Sequence, residues 1–198
     1  MIPQSIFNPK FLPQTLYKAV IICGKKACKS GYNAFIVGGS VRDILLGIKC
    51  KDIDVCFEPE KTQQITSIVI KNFYKKIAKL IHSVSFDYYA DFFTAKLQLK
   101  SGEIIDLSIT RKEVYRKPGA LPEIIPATIR DDLFRRDFTI NSIAICINPE
   151  KQGVIYDFFC GIKDLKEKKL RVLHRKSFID DPTRILRGIR FSTRFNFS

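Results

Sequence analysis

An apolar run that ends in two glycines constrains the fold of this chain more than any other feature of its sequence. Residues 33–37 form the run, Gly38 and Gly39 follow, and residues 41–46 have the pattern of a short helix. A strand, a tight turn and a helix are therefore expected. Glycines in such a turn let the backbone approach a ligand closely, and the free N–H groups of the next helix favour phosphate. A tight turn without a ligand is the alternative.

Charged residues follow this turn at short spacing. Arg42 lies in the first turn of the predicted helix, where its guanidinium suits a triphosphate. Asp52 and Asp54 flank the start of a second predicted strand, 53–57, and residues two apart on a strand share a face. Two such carboxylates repel each other unless a cation lies between them, and Mg²⁺ prefers carboxylate ligands. A solvated edge with two acids is the other interpretation.

A third carboxylate lies on a predicted β-hairpin. Residues 93–99 alternate between apolar and polar, Ser101-Gly102 supplies a turn, and residues 104–109 run back. Asp106 on the return strand would complete a two-metal site, in which one ion activates a hydroxyl and the other holds the leaving phosphate. An ordinary polar residue on an open face explains Asp106 equally well.

The remaining pattern mixes helices and strands. Helices are predicted over 14–30, 62–73, 129–134 and 163–169, a strand or helix end over 143–147, and irregular chain over 1–13 and 111–127. This order predicts an α/β or α+β fold, with a mixed sheet flanked by helices and then the start of a helical region. We place a boundary near residue 160, between a domain of residues 1–160 and a helical region of residues 161–198.

Two later blocks combine arginines with acceptors. The first contains Arg135, Arg136, Asp137 and Asn141, which suit phosphate and ribose contacts or form a cluster of caps and ion pairs. The second begins a helix at Pro182, with Asp180 or Asp181 as its cap.

Basic residues repeat along this last helix. Their spacing of three or four predicts one shared face for Arg184, Arg187, Arg190 and Arg194. A guanidinium and a carboxylate on successive turns would recognise a base edge, and a solvated basic stripe is the alternative.

Composition narrows the partners. The chain has 34 Lys and Arg against 20 Asp and Glu, a net charge of +14, and half of that charge lies in residues 163–198. Such an excess favours a polyanion, above all nucleic acid. No run approaches the ~18 apolar residues of a membrane span, and no secretory signal is present, so no membrane partner and a cytoplasmic location are expected. Six cysteines without C-x-x-C spacing argue against zinc and predict buried or half-buried thiols.

Together these blocks resemble the tRNA nucleotidyltransferase and poly(A) polymerase family, which comprises the class II CCA-adding enzymes and their A-adding and CC-adding relatives. The match spans residues 33–195, in the family's order. The glycine turn with Asp52-x-Asp54 is similar to the metal motif of the DNA polymerase β-like superfamily. Residues 135–141 are similar to the ribose and phosphate motif, residues 156–165 to the hinge motif, and residues 180–184 to the motif that selects the incoming base.

The resemblance implies a nucleotidyltransferase head followed by the start of a helical neck. It implies transfer of AMP, CMP or both from ATP and CTP to the 3′ end of tRNA, with Mg²⁺ and release of pyrophosphate. Asp52 and Asp54 would bind the metal, with Asp106 as a third catalytic carboxylate. The nucleotide would be bound by the glycines and the basic and polar residues of the other motifs, namely Gly38, Gly39, Arg42, Arg135, Arg136, Asp137, Asn141, Asp181, Arg184, Arg187 and Arg190.

The sequence also departs from the family. Asp180 stands where glutamate is usual, and residues 157–161 lack a proline and a glycine of the hinge motif. Relatives continue beyond this length into body and tail domains, so we expect a fragment, half of a split enzyme, or a catalytic part served by a second chain. A poly(A) polymerase acting on other RNA, a small-molecule nucleotidyltransferase and a non-catalytic RNA-binding remnant are the rival functions. The choice among CCA, CC and A addition, the oligomeric state and the role of residues 117–122 stay open.

Overall fold

A seven-stranded mixed sheet forms the centre of the molecule. The computed structural model describes residues 11–60, 65–117 and 119–198. The strands of the sheet lie in the order β3-β4-β5-β2-β1-β8-β9, and β2 and β5 are parallel while all other neighbours are antiparallel. Their bounds are β1 Tyr32–Val37, β2 Asp52–Pro59, β3 Ser85–Tyr89, β4 Thr94–Gln98, β5 Ile104–Ile109, β8 Ala144–Cys146 and β9 Ile155–Tyr156. A separate ribbon pairs β6 Arg111–Val114 with β7 Glu123–Pro126.

Helices flank the sheet and follow it along the chain. They are α1 Gln14–Cys28, α2 Gly39–Leu45, α3 Ser67–Leu80, α4 Ile129–Phe134, α5 Gly161–Lys166, α6 Ser177–Asp180 and α7 Thr183–Phe195. The mixed α/β class expected from the sequence is therefore confirmed. Within the described ranges, no helix combines the length and the apolar character that crossing a membrane requires.

The main core lies between the sheet and the helices α1 and α3. Apolar residues recur at helical spacing on α1, so that Leu16, Val20 and Cys23 share the buried face. On β2 the buried side chains alternate with polar ones, and Ile53 and Val55 are fully buried. Removing these apolar surfaces from water is the main term that holds helices and sheet together. It also fixes the register of β2, because a shift by one residue would turn its acids into the core.

Helix α3 corrects a sequence prediction. The helix was expected over 62–73, but it begins after Thr66, whose hydroxyl accepts a hydrogen bond from the N–H of Val69. It continues to Leu80 because the apolar spacing extends through Ile77 and Ala78, which pack in the core. Residues 62–64 of the prediction lie outside the described residues, as do residues 1–10 of the irregular arm.

Residues 111–127 are a second correction, because they contain two strands where the prolines predicted irregular chain. Arg111 pairs with Pro126, and Val114 pairs with Glu123. Pro126 is tolerated because it lies at the end of its strand. Pro118, in the predicted loop 117–122, lies outside the described residues.

Smaller differences concern individual elements and the thiols. The segment predicted as strand or helix end is the strand β8, the polar helix is α5, and β3 and β9 were not predicted. All six cysteines are free, and Cys28 and Cys160 are exposed, unlike the buried or half-buried thiols expected.

Helix α7 packs directly against the sheet domain. Gly188 faces Phe138 so closely that a Cβ atom would lie 3.1 Å from the Cζ of that ring. The rings of Phe138 and Phe191 meet edge to face at 5.9 Å, and the guanidinium of Arg42 lies 5.0 Å from the Phe191 ring and 4.7 Å from Phe195. These contacts fix the basic helix beside the glycine turn.

Candidate active site

Three carboxylates share one face of the sheet. Asp52 and Asp54 alternate on β2 with buried apolar residues, so both point away from the core. The parallel pairing of β2 and β5 places Asp54 directly opposite Asp106. The strand pairing thus brings together the three acids that the sequence predicted as catalytic.

The pKa values of Asp54 and Asp106 are both raised, first by burial and then by the neighbouring carboxylates. Burial raises the pKa of Asp54, the guanidinium of Arg136 opposes that rise, and the charges of Asp106 and Asp52 add to it. Burial also raises the pKa of Asp106, and Lys96, 3.9 Å away, opposes it. A cation between these carboxylates would relieve their repulsion.

The acids suit Mg²⁺ better than they suit a metal ion that takes all of its ligands from the protein. Within the described ranges, no group of three or more His, Cys, Asp or Glu side chains is placed to hold a metal ion, so Asp106 does not form one ligand set with Asp52 and Asp54. Mg²⁺ needs few protein carboxylates, because it retains waters and binds substrate phosphates. Asp52 is exposed and Asp54 is half-buried, so neither carboxylate is fully enclosed by protein, which suits an ion that keeps waters and substrate phosphates as ligands.

The turn before α2 requires glycine for two reasons. Gly38 has φ 70°, in the left-handed region, and a Cβ atom there would lie 2.5 Å from Nη1 of Arg136. The same atom would lie 3.6 Å from Oδ2 of Asp54. Ser40 connects this turn to β2, because its hydroxyl accepts a hydrogen bond from the N–H of Asp54 at 3.1 Å. The turn therefore lies against both the acids and the basic residues.

Arg42 is buried, and each of its three guanidinium nitrogens has a partner. It is 4 % exposed, and its Nε and Nη2 donate to Oδ1 of Asp43 at 2.8 and 2.7 Å. Its Nη1 donates to Oδ1 of Asn141 at 2.7 Å. The arginine and the asparagine predicted to contact phosphate and ribose are thus direct partners.

A buried aspartate organises the two arginines that follow α4. Asp132 is fully buried and accepts from Arg135 and Arg136, whose nearest nitrogens lie 2.8 Å from its two oxygens. Burial alone would raise the pKa of Asp132, but the two guanidinium groups outweigh it and lower the pKa to about 2. Sequence reasoning missed Asp132, although an acid three and four residues before two arginines on a helix predicts such pairs.

Asp181 and Arg184 meet at the start of α7. Oδ1 of Asp181 accepts from the N–H of Thr183 at 3.0 Å, and Oδ2 lies 3.6 Å from Nε of Arg184. Arg184 is 4 % exposed and also donates to the Ser177 hydroxyl at 2.7 Å and to the carbonyl of Arg135 at 2.8 Å. The N-cap residue of α7 is Pro182 and not the predicted Asp180 or Asp181, so Asp181 binds the first backbone N–H of the helix without capping it, and Arg184 is a fixed fork of donors.

These groups line a single cleft of about 350 Å³. Asp54 lies in its wall, and so do ten of the eleven residues predicted to bind nucleotide, namely Gly38, Gly39, Arg42, Arg135, Arg136, Asp137, Asn141, Asp181, Arg184 and Arg187. The exception is Arg190, which is exposed on the outer side of α7, so the four arginines of this helix do not share one environment. The cleft also includes Glu113, Tyr115 and Thr183, which the sequence analysis did not single out.

A second cavity lies on the other side of the acids. It measures about 490 Å³, and both Asp52 and Asp54 line it, together with the cationic side chains Lys49, Lys51 and Arg194. The carboxylates thus separate two spaces that both contain basic groups.

Comparison with known proteins identifies the fold family. The family model for the Poly A polymerase head domain matches residues 34–171. The chain belongs to this family. The A-adding tRNA nucleotidyltransferase of Aquifex aeolicus is 44 % identical over 165 residues, which are 83 % of this chain and 19 % of that protein. The CC-adding tRNA nucleotidyltransferase of Deinococcus radiodurans is 33 % identical over 80 % of this chain and 40 % of its own length.

Solved structures of head-domain relatives agree with this placement. A CCA-adding enzyme in its apo form II superposes with a TM-score of 0.84 at 41 % identity, and covers 98 % of this chain and 43 % of its own. The Thermotoga maritima CCA-adding enzyme complexed with tRNA gives a TM-score of 0.77 at 38 % identity over 98 % of this chain and 41 % of its own. The chain thus spans less than half the length of each of these four relatives.

Proposed function

We propose that this chain transfers AMP, CMP or both from ATP and CTP to the 3′ end of tRNA, with release of pyrophosphate. One observation carries the proposal: a single cleft has the carboxylate of Asp54 in its wall together with the Asp181–Arg184 pair. Basic side chains of the cleft suit a triphosphate, and the acid–guanidinium pair suits a base edge. Matching relatives are named for A, CC and CCA addition to tRNA, which supports tRNA as the acceptor.

Asp52 and Asp54 would bind Mg²⁺, with Asp106 as the third carboxylate of the face. When bound, such an ion supplies activation of a hydroxyl and stabilisation of the leaving phosphate. The chain's own cations neutralise the phosphates, because Arg42 and Arg136 both line the cleft. The second cavity, in which Lys49, Lys51 and Arg194 are matched by three aspartates, offers space for the attacking RNA end.

Base choice is assigned to Asp181 and Arg184. Adenine and cytosine each present an amino donor next to an acceptor nitrogen, which matches one carboxylate and one guanidinium. Guanine and uracil present a mismatched edge, and an unpaired buried polar group costs ~1–3 kcal/mol. Arg184 is already oriented by Ser177 and by the carbonyl of Arg135, so little freedom is lost when a base binds.

The sequence identities favour addition of A. The A-adding relative of Aquifex aeolicus is 44 % identical, against 34 % for a CCA-adding relative and 33 % for the CC-adding relative of Deinococcus radiodurans. We also propose that residues 161–198 begin a helical neck and that the protein acts in the cytoplasm with its tRNA.

The deciding experiment is sequencing of tRNA 3′ ends. Transcripts that end before C, after C, after CC and after CCA are incubated with ATP, CTP or both in the presence of Mg²⁺. Extension of the CC transcript with ATP supports the proposal, and a requirement for CTP on the shorter transcripts separates CCA from A addition.

The same reactions include the rival acceptors. Extension of unrelated RNA by many A residues would indicate a poly(A) polymerase, and labelling of a small acceptor in place of RNA would indicate the third enzyme class. RNA binding without any incorporation, equal in wild type and Asp54→Asn, would indicate a non-catalytic RNA-binding protein.

A further inference from the structure

A row of aromatic side chains crosses the surface beside the cleft, and the proposed reaction does not use it. The ring centroids of Tyr156 and Phe158 lie 6.0 Å apart, those of Phe158 and Phe159 6.3 Å, and those of Phe159 and Phe134 5.6 Å. The row ends with His174, 5.4 Å from Phe134. We call these five side chains the aromatic row. It joins segments that are distant in sequence, so the tertiary fold creates it.

Two rings of the row are unusually open to water. Phe134 is 45 % exposed and Phe158 is 43 % exposed. A single exposed phenylalanine is ordinary, but two exposed rings joined through the half-buried ring of Phe159 form an apolar surface that marks an interaction site.

Cations surround the exposed rings. The guanidinium carbon of Arg130 lies 5.8 Å from the centre of the Phe158 ring. A cavity of about 480 Å³ beside Phe134 and His174 is also lined by Arg175 and Lys176. In the described part of the chain, none of these three cations forms an ion pair with a carboxylate, and all three are exposed.

Two acids near the row form no ion pair with these three cations. The carboxylate of Asp131 accepts from the backbone and hydroxyl of Thr128 in the capping box of α4. That of Asp180 lies 3.9 Å from Nδ1 of His174. The basic groups of this surface are therefore available to an external anion.

We propose that the aromatic row binds single-stranded RNA, whose bases stack on Phe134 and Phe158 while its phosphates pair with Arg130, Arg175 and Lys176. Aromatic side chains on which bases stack, with cations beside them for the phosphates, are the usual means of holding single strands without sequence preference, because every base has a π face. The inference rests on the proposed function only for its choice of RNA as the polyanion.

The row adjoins the nucleotide cleft. The cavity beside Phe134 shares Glu113, Tyr115, Arg135 and Arg184 with the wall of the cleft. RNA bound along the row would therefore lie next to the site at which we propose that the incoming base is read. Such a surface keeps an unpaired RNA segment close to the cleft while its end reacts.

Fluorescence anisotropy of labelled 12-nucleotide RNAs with the whole chain tests this inference. Oligo-A, oligo-U and a hairpin of equal charge are titrated without nucleotide or Mg²⁺, so that the result does not depend on catalysis. The variants are Phe134→Ala with Phe158→Ala, the pair Phe134→Leu with Phe158→Leu, and Phe158→Trp. Phe92→Ala is the matched control, because Phe92 is 36 % exposed and lies next to β3 at the opposite edge of the sheet from β9.

We expect the double alanine variant to bind both single strands about tenfold more weakly. The leucine pair should lose nearly as much, because it remains apolar but cannot stack, and Phe158→Trp should bind at least as tightly as wild type. Phe92→Ala should bind the single strands as tightly as wild type does, and the affinity for the hairpin should be the same in all variants. Thermal melts confirm that the variants are folded.

Three results would overturn the inference. The first is unchanged single-strand affinity in a folded double variant, and the second is full binding by the leucine pair. The third is a self-association of the wild type, seen by sedimentation, that the double variant abolishes, because the row would then be an interface between copies. Failure of nucleotide incorporation with normal single-strand binding would contradict the proposed reaction and leave the row as assigned.

Discussion

Arg187 donates from both Nε and Nη2 to one carboxylate oxygen of Asp137, at 2.7 and 2.6 Å. The other oxygen of Asp137 accepts from the backbone N–H of Phe138 and from the side chain of Asn141. This carboxylate therefore links helix α7 to the segment that carries the residues we propose to contact phosphate.

Removal of Asp137 should cost more stability than removal of Arg187. Asp137→Ala leaves several buried donors unpaired, and we expect a loss of about 3 kcal/mol in the free energy of unfolding. Arg187 is 55 % exposed in its side chain, so solvent screens it, and Arg187→Ala should cost about 1 kcal/mol or less. Urea unfolding measures both, with exposed Arg190→Ala as the control. Equal losses would contradict this order and show that the Arg187 contact, rather than those to Phe138 and Asn141, carries the stability that Asp137 provides.

Transfer should depend on the carboxylate face. Asp52→Ala or Asp54→Ala is expected to lower nucleotide incorporation by several orders of magnitude without unfolding the chain, because the ion that stabilises the reacting phosphate is lost. Asp87→Ala serves as the control, since Asp87 is an exposed acid on β3 at the edge of the same sheet. Incorporation assays with Mg²⁺ decide the matter, and a folded Asp54→Ala variant with wild-type turnover would contradict the site.

Discrimination among bases should depend on Arg184. Arg184→Ala is expected to let UTP or GTP compete with ATP and CTP, with a loss of selectivity of roughly 10²-fold. The variant also loses hydrogen bonds to Ser177 and to the carbonyl of Arg135, so melting must be measured alongside. Arg190→Ala, on the same helix but outside the cleft, should keep the wild-type ratio. A lower melting temperature with an unchanged ratio of ATP to GTP incorporation would assign Arg184 a structural role alone.

Asp132 should make the fold sensitive to strong acid. Its pKa in the fold, about 2, lies below the ~3.9 of an unfolded aspartate. The unfolded chain therefore binds the proton more readily, and this contribution, about 2 kcal/mol, is complete above about pH 5 and is lost progressively as the pH falls through 4 to below 2. The stability difference between wild type and Asp132→Asn should shrink over this range. A difference that stays constant from pH 5 to pH 2 would contradict the pairing, and exposed Asp91→Asn provides the control.

Gly38→Ala should weaken nucleotide binding through Arg136. The new Cβ would lie 2.5 Å from Nη1 of that arginine, so the guanidinium must move out of place. We expect the KM for ATP to rise about tenfold, because the displaced guanidinium loses a charge-assisted hydrogen bond to the phosphate. Gly102→Ala is a matched control: Gly102 also has a positive φ, 96°, but nothing lies within 4 Å of its Cβ position. Equal effects in both variants would attribute the change to backbone strain.

Much of the sheet was predictable because its patterns are local. The glycine turn, the alternation around Ile53 and Val55 and the hairpin of β4 and β5 each express the period of the structure they form. The cleft-lining residues were found for the same reason, since their motifs combine cations and acceptors within a few positions. The exposed position of Arg190 was not predictable, because the spacing of residues alone does not determine which turn of a helix faces its neighbour.

The elements missed by sequence reasoning depend on distant partners. Strands β6 and β7 contain few apolar residues and end at Pro126, so only their pairing with each other reveals them. Glu113 and Tyr115 were therefore missed with them, although Glu113 accepts a hydrogen bond from Arg135 at 2.8 Å. Edge strand β3 is half-exposed and carries a weak pattern, and its register is set by β4.

The location of the cleft residues along the chain has a consequence for biosynthesis. The acids of β2 and β5 are made early, whereas Asp181, Arg184 and Arg187 belong to the segment made last of those that line the cleft. A growing polypeptide on the ribosome therefore contains the acidic face well before it contains the groups that we propose to read the base. Discrimination between nucleotides is then the latest property that the nascent protein acquires, and premature release would yield a domain that lacks it.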